Sequence, residues 1–107
     1  MNRGDLVTVA LQGSHGKPRP ALIIQADIMR DTSHVAVLLL TSTVLDAPLL
    51  RVPIPTTAGT GLIEQSFAML DRMTTAPRDR IAGVIGRADD ATMLAVGRAL
   101  VVFLGLA

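Results

Sequence analysis

From Leu6 to Arg87 the apolar residues come in short runs, most of them alternating with polar ones, and each run closes on glycine, proline or a small polar residue. A period of two puts successive side chains on opposite faces of an extended chain, so these runs read as strands. In residues 6–11, Val7, Val9 and Leu11 share one face and Leu6, Thr8 and Ala10 the other. Residues 12–19 (QGSHGKPR) carry two glycines and a proline and read as an exposed loop. Pro20 then opens a second strand over residues 21–25, a nearly continuous apolar run suited to a buried position. Residues 26–33 are polar and fit a turn or short helix, and residues 34–41 form a third strand that ends at Thr41-Ser42-Thr43.

In the next run Leu50, Val52 and Ile54 alternate with Arg51, Pro53 and Pro55. Proline cannot donate to a ladder, so this is an edge strand. Residues 56–61 (TTAGTG) read as a flexible loop with little to bury, and residues 65–73 and 80–87 as two more strands joined around Pro77. Gly83 and Gly86 imply tight curvature or close backbone approach. Only beyond Arg87 does the period change. Asp89 or Asp90 suits an N-cap, Met93, Val96, Gly97, Leu100 and Leu104 recur at helical spacing, and Gly105 sits where a C-cap glycine belongs. The expected fold is mainly β, a single domain over residues 1–107, with five to six short strands in a small, strongly curved barrel and one C-terminal helix packed on it.

Composition narrows the function. Half the residues are hydrophobic, yet the only aromatics are Phe67 and Phe103, so the core is aliphatic. This argues against gripping nucleic acid by stacking bases on exposed rings, which contributes roughly 1–3 kcal/mol per base. A net charge of +1 argues against a charge-driven binder of double-stranded DNA, while leaving local basic residues to hold a short single strand. There is no cysteine, and two separated histidines are too few for an ordinary zinc site, so neither a metal nor another cofactor is expected. The N-terminus lacks the apolar run of a signal peptide. The most apolar stretch, residues 93–107, is interrupted by Arg98 and falls short of the roughly 20 residues that span a bilayer. A cytoplasmic chain with no membrane association is the simplest reading.

Several ordered segments carry a family resemblance. Arg3-Gly4-Asp5-Leu6-Val7 opens the chain, and Gly16-Lys17-Pro18-Arg19-Pro20 runs through Arg-Pro into the aliphatic Ala21-Leu22-Ile23-Ile24-Gln25. Leu40-Thr41-Ser42, Gly61-Leu62, Ser66, Asp71 and Arg80-Ile81 follow in order, and the helix ends in Phe103-Leu104-Gly105-Leu106. Together they resemble the MazF/PemK (Kid) toxins over nearly the whole length. The resemblance implies an SH3-like barrel of the CcdB/MazF type, a homodimer, and metal-independent, sequence-selective cleavage of single-stranded RNA. It implies attack by the ribose 2′-hydroxyl to leave 2′,3′-cyclic phosphate and 5′-hydroxyl ends. It also implies a cognate antitoxin whose C-terminal segment lies across the RNA-binding surface.

Such cleavage needs a proton acceptor, a proton donor, and donors for the charge that builds on the phosphate oxygens. Arg19 suits the last role, since guanidinium offers a rigid, permanently charged fork and the flanking prolines restrict its backbone. It also matches the functional arginine of the family's Arg-Pro step. Thr41 matches a catalytic threonine of the family, with Ser42 as an assistant. Histidine is the side chain suited to proton transfer near neutral pH, and His15 lies in the expected loop where some relatives carry a functional histidine, although their loop is longer. Asp71 aligns with a catalytic aspartate of PemK-type members, in which an arginine stands two residues earlier; here that position is Met69. A structural role for Asp71, paired with an arginine of the barrel, is the alternative. Arg72, the next residue along, points to the opposite face unless the strand is bulged. Lys17, Arg51, Arg78 and Arg80 are candidates for positioning the RNA backbone, and His34 reads as structural. Two other readings compete: a same-fold toxin acting by protein binding, as CcdB-type gyrase poisons do, and a catalytically inactive relative that binds only antitoxin. The CcdB-type poisons use a C-terminal segment bearing a tryptophan, which this chain lacks.

Overall fold

The alternation resolves into two apolar layers on the two faces of one sheet. The computed structural model describes residues 1–11 and 17–106; residues 12–16, with the candidate His15, lie outside the described residues. Six antiparallel strands form, β1 (Asp5–Val9), β2 (Arg19–Ile23), β3 (His34–Thr41), β4 (Arg51–Ile54), β5 (Ser66–Pro77) and β6 (Ile81–Arg87), followed by helix α1 (Asp90–Phe103). Their order across the sheet is β4-β5-β3-β2-β1-β6. Leu6, Leu22 and Leu38 stand side by side in register and enter one core with Ile54, Leu70 and Val96. Their sequence neighbours Val7, Ala21, Ile23, Val37 and Leu39 enter the other. Burying each large aliphatic side chain contributes about 1.5–3 kcal/mol. Helix α1 covers the first core with Val96 and the half-buried Met93 and Leu100.

The mainly β class, the edge position of β4 and the closing helix agree with the sequence-based expectation. Asp89 is the N-cap, accepting from the Thr92 amide at 2.8 Å. Hydrogen bonds from the Thr92 side chain and then its amide hold the Asp89 carboxyl below the usual carboxylate range. At the other end Gly105 adopts φ 70°, while Leu106 N–H reaches Val101 O at 2.9 Å and Gly105 N–H reaches Val102 O at 3.1 Å. This is a Schellman turn, and it needs the glycine. No helix among the described residues is long and apolar enough to cross a membrane.

Strand ends differ from expectation where backbone pairing overrides composition. β1 stops at Val9, because Ala10 N–H turns to Arg80 O. β2 begins at Arg19, which pairs with Val9 and so belongs to the strand rather than the loop; Pro20 lies within it. β5 runs through the expected connector to Pro77 and is followed by a single 3-10 turn, Arg78–Arg80. Its pairing with β3 jumps from Leu38↔Met73 to Leu40↔Ala68, so β5 carries a bulge within residues 69–72, where Met69 still pairs with Arg51 of β4 and Leu70 stays in the core. Two further register shifts between β1 and β6 leave Ala82 and Ile85 as extra residues and tighten the curl of the sheet.

The largest correction concerns residues 56–61. Thr60 is buried, its Oγ1 donating to Pro55 O at 2.9 Å and accepting from the Thr57 amide at 3.2 Å. Gly59 O accepts from Arg87 N–H at 2.8 Å. A Cβ at Gly61 would stand 2.0 Å from Ile85 O, and one at Gly86 would stand 2.1 Å from Thr60 O. The turn that follows one edge strand, β4, is therefore clasped backbone to backbone against the other edge strand, β6. This clasp draws the two edges of the sheet together, and only glycine on each side permits it.

Candidate active site

Strand pairing brings the chief candidates to one end of the sheet. The β2–β3 ladder ends at Ala21↔Leu39, with Arg19 two residues before Ala21 and Thr41 two residues after Leu39, where they pair with Val9 of β1 and Phe67 of β5. A period of two keeps both on the face of Ala21 and Leu39. There an open cleft of about 250 Å³ is walled by Arg19 and Pro20 from β2, Thr41 and Ser42 from the end of β3, and Glu64 and Ser66 at the entry to β5.

Each polar wall residue has a definite state. Arg19 is exposed and makes no hydrogen bond or ion pair among the described residues, so its donors are unspent. Thr41 Oγ1 accepts from the Thr43 amide at 3.1 Å, which leaves its own O–H to donate elsewhere. Glu64 was not among the residues singled out from sequence; its one signal there is that it is the sole acidic residue of the Gly61–Ser66 segment. Its backbone is fixed: its carbonyl accepts from Ser66 Oγ at 3.1 Å, and the Gln65 amide group donates to Ile54 O at 3.2 Å.

Asp71 lies outside the cleft wall, in the β5 bulge. Its Oδ1 accepts from Arg51 Nη1 at 2.6 Å, with side-chain exposures of 13% for Arg51 and 41% for Asp71. Arg51 is the cross-strand neighbour of Met69, so the guanidinium beside Asp71 comes from β4 instead of from two residues earlier in β5. Arg51 Nε is buried without a hydrogen-bond partner, so the side chain is compensated through Nη1, which donates to both Asp71 Oδ1 and Leu50 O, the latter at 3.0 Å. Arg72 is exposed within the bulge.

The remaining candidates are dispersed. Lys17 is exposed before β2, and Ser42 is in the cleft. Arg78 donates to the carbonyls of Thr32 and Arg30, bracing the segment before β3. Arg80 lines a separate recess of about 300 Å³ with Ala10 and Thr75. His34, at the start of β3, lies 3.0 Å through Nδ1 from Ser33 Oγ. His15 lies outside the described residues. Among the described residues no three His, Asp or Glu side chains group as metal ligands.

A family model described as the PemK-like, MazF-like toxin of type II toxin-antitoxin systems matches residues 2–104. The chain belongs to this family. It is 46% identical over 108 residues to a Mycolicibacterium smegmatis protein named "Probable endoribonuclease MazF", covering 100% of this chain and 99% of that one. Among solved structures, "Endoribonuclease in complex with its cognate antitoxin from Mycobacterial species" superposes with a TM-score of 0.83 at 25% identity, over 100% of this chain and 97% of that one. "Mycobacterium tuberculosis toxin MazF-mt6" superposes with a TM-score of 0.81 at 25% identity, over 96% and 98%. The resemblance drawn from the ordered sequence segments is borne out, and the curled six-stranded sheet with its closing helix is a MazF-type toxin fold.

Proposed function

We propose that this MazF-type toxin is a metal-independent endoribonuclease that cleaves single-stranded RNA in the cytoplasm through the ribose 2′-hydroxyl. The observation that carries the reading is the meeting of Arg19 and Thr41 in one open cleft, with the donors of both available. Arg19 would hold the scissile phosphate through its guanidinium fork and stabilise the charge that develops on its oxygens. The Thr41 O–H, aimed by the Thr43 amide, would donate a second hydrogen bond to the same group, and Ser42 would assist. Lys17, exposed two residues before Arg19, would hold the RNA backbone, and His15 remains a candidate for proton transfer. For Asp71 we assign positioning, since its carboxylate is engaged with Arg51 away from the cleft. Arg78 and Arg80 would at most hold RNA beyond the scissile step.

A cognate antitoxin laying an acidic C-terminal segment over this cleft would compete with RNA for Arg19. The outer face of α1 supports the homodimer: Leu94 is 57% and Val102 59% exposed, beside an apolar groove of about 610 Å³. The decisive assay is incubation of purified protein with mixed-sequence single-stranded RNA in EDTA. Cleavage to 2′,3′-cyclic phosphate and 5′-hydroxyl ends is expected, with Arg19→Ala and Thr41→Val each about 10²–10³ slower and Thr41→Ser largely active. No cleavage, together with inhibition of gyrase supercoiling, would replace this reading with the CcdB-type one.

A further inference from the structure

The geometry points to Glu64 as the catalytic residue that accepts the 2′-hydroxyl proton in the Arg19–Thr41 cleft, an inference that rests on the ribonuclease reading above. Three observations carry it. Among the described residues Glu64 is the only carboxylate on the cleft wall, and Arg19 the only other ionisable side chain there. The other elements around it contribute neutral groups: Pro20 from β2, Thr41 and Ser42 from β3, and Ser66 from β5. Second, Glu64 and Arg19 face the same cleft without forming an ion pair, and among the described residues the Glu64 carboxylate has no hydrogen-bond partner. The about 250 Å³ between these walls is left open for a sugar and its phosphate. Third, the segment bearing Glu64 is held in place by Ser66 and Gln65, so its carboxylate projects from a fixed backbone. Asp71, the carboxylate that sequence favoured, is spent on Arg51 and lies off the wall.

The chemistry balances within this set of groups. The 2′-O–H bond breaks and its proton passes to a Glu64 carboxylate oxygen. The freed electron pair of O2′ forms the bond to phosphorus. The P–O5′ bond breaks with its electrons on the 5′-oxygen, which takes a proton from water, and Glu64 returns its proton to solvent. Arg19 and Thr41 stay bound to the non-bridging phosphate oxygens throughout.

The test compares wild type, Glu64→Gln, Glu64→Asp and His15→Gln on an oligoribonucleotide containing the mapped cut site. Single-turnover rates at saturating protein are followed against pH, with affinity measured on the same oligonucleotide carrying a 2′-deoxy residue at the cut. Glu64→Gln is expected to be about 10²–10⁴ slower, the range of a lost general base. It should bind the deoxy oligonucleotide as wild type does and lose the acid limb of the rate profile. Glu64→Asp should restore much of the rate and the limb, which also guards against a folding defect. The inference is overturned if Glu64→Gln keeps its rate and acid limb, if its defect lies wholly in binding, or if His15→Gln alone removes the limb. If wild type cleaves the 2′-deoxy position or leaves no cyclic phosphate, the ribonuclease mechanism itself falls and Glu64 falls with it. Intact 2′-hydroxyl chemistry with an indifferent Glu64 overturns this inference alone.

Discussion

Replacing Gly86 by alanine should open the clasp that joins the two edges of the sheet. The added Cβ would meet Thr60 O at 2.1 Å and Thr60 C at 2.2 Å. Both are backbone atoms, so no side chain can rotate away, and relief requires the strand and turn to part by roughly 1 Å. That movement stretches the 2.8 Å bond from Arg87 N–H to Gly59 O beyond hydrogen-bonding range. Overpacking of this kind costs about 1–3 kcal/mol and the lost bond about 1 kcal/mol more, together about 2–4 kcal/mol. For a domain of this size the melting temperature should fall by roughly 10–20 °C. Gly59→Ala is the control from the same turn: its nearest neighbour would be Thr57 Oγ1 at 3.8 Å, and stability should stay within about 0.5 kcal/mol of wild type. Urea and thermal melts at one fixed protomer concentration provide the comparison, since association adds to apparent stability. If Gly86→Ala melts like Gly59→Ala, the clasp is not the tight backbone contact described, and the argument for edge closure fails.

Three further predictions concern the cap, the ion pair and the outer helix face. Because the Asp89 carboxyl is held below its ordinary value of 3.8, its stabilisation is complete above that value and is lost as pH falls through the lower folded-state value. Asparagine caps as well without titrating, so urea midpoints should fall more steeply for wild type than for Asp89→Asn below about pH 4; parallel curves would count against the cap. Asp71→Asn removes the charge facing the Arg51 guanidinium, which keeps its bond to Leu50 O, and should cost about 1 kcal/mol given the exposure of Asp71, whereas Arg51→Met beside Met69 should cost no more. A loss of about a hundredfold in cleavage by Asp71→Asn at unchanged stability would instead make Asp71 a proton carrier. Val102→Asp on the apolar face of α1 should convert a dimeric mass in light scattering to a monomeric one, and a monomeric wild type would remove the dimer from the account.

Features encoded by periodicity were legible in the chain itself. The period-two runs located six strands, Pro53 and Pro55 marked β4 as an edge, and Asp89 and Gly105 bounded the helix. Arg19 and Thr41 were legible through the ordered family segments, and they share a cleft at the end of the antiparallel β2–β3 pair, just beyond Ala21↔Leu39. Features set by backbone packing were not. Residues 56–61 carry little apolar surface, so nothing in their composition signals a buried turn; the signal is the pair Gly61 and Gly86, whose meaning depends on a contact distant in sequence. The partner of Asp71 was hidden because it lies on β4: Arg51 stands opposite Met69 and so diagonal to Asp71 on the same strand face, a pairing that composition does not signal. Glu64 was silent for a different reason, since an exposed glutamate beside a strand looks like any solvated one until the fold sets it across from Arg19.

The most direct test of the account is cleavage, in EDTA, of two oligonucleotides that differ only by a 2′-deoxy substitution at the mapped cut site. The all-ribose strand should be cut to a cyclic phosphate end by wild type and spared by Arg19→Ala, while the substituted strand binds and stays intact. Cleavage of the substituted strand, or full activity in Arg19→Ala, would contradict the proposed use of this cleft.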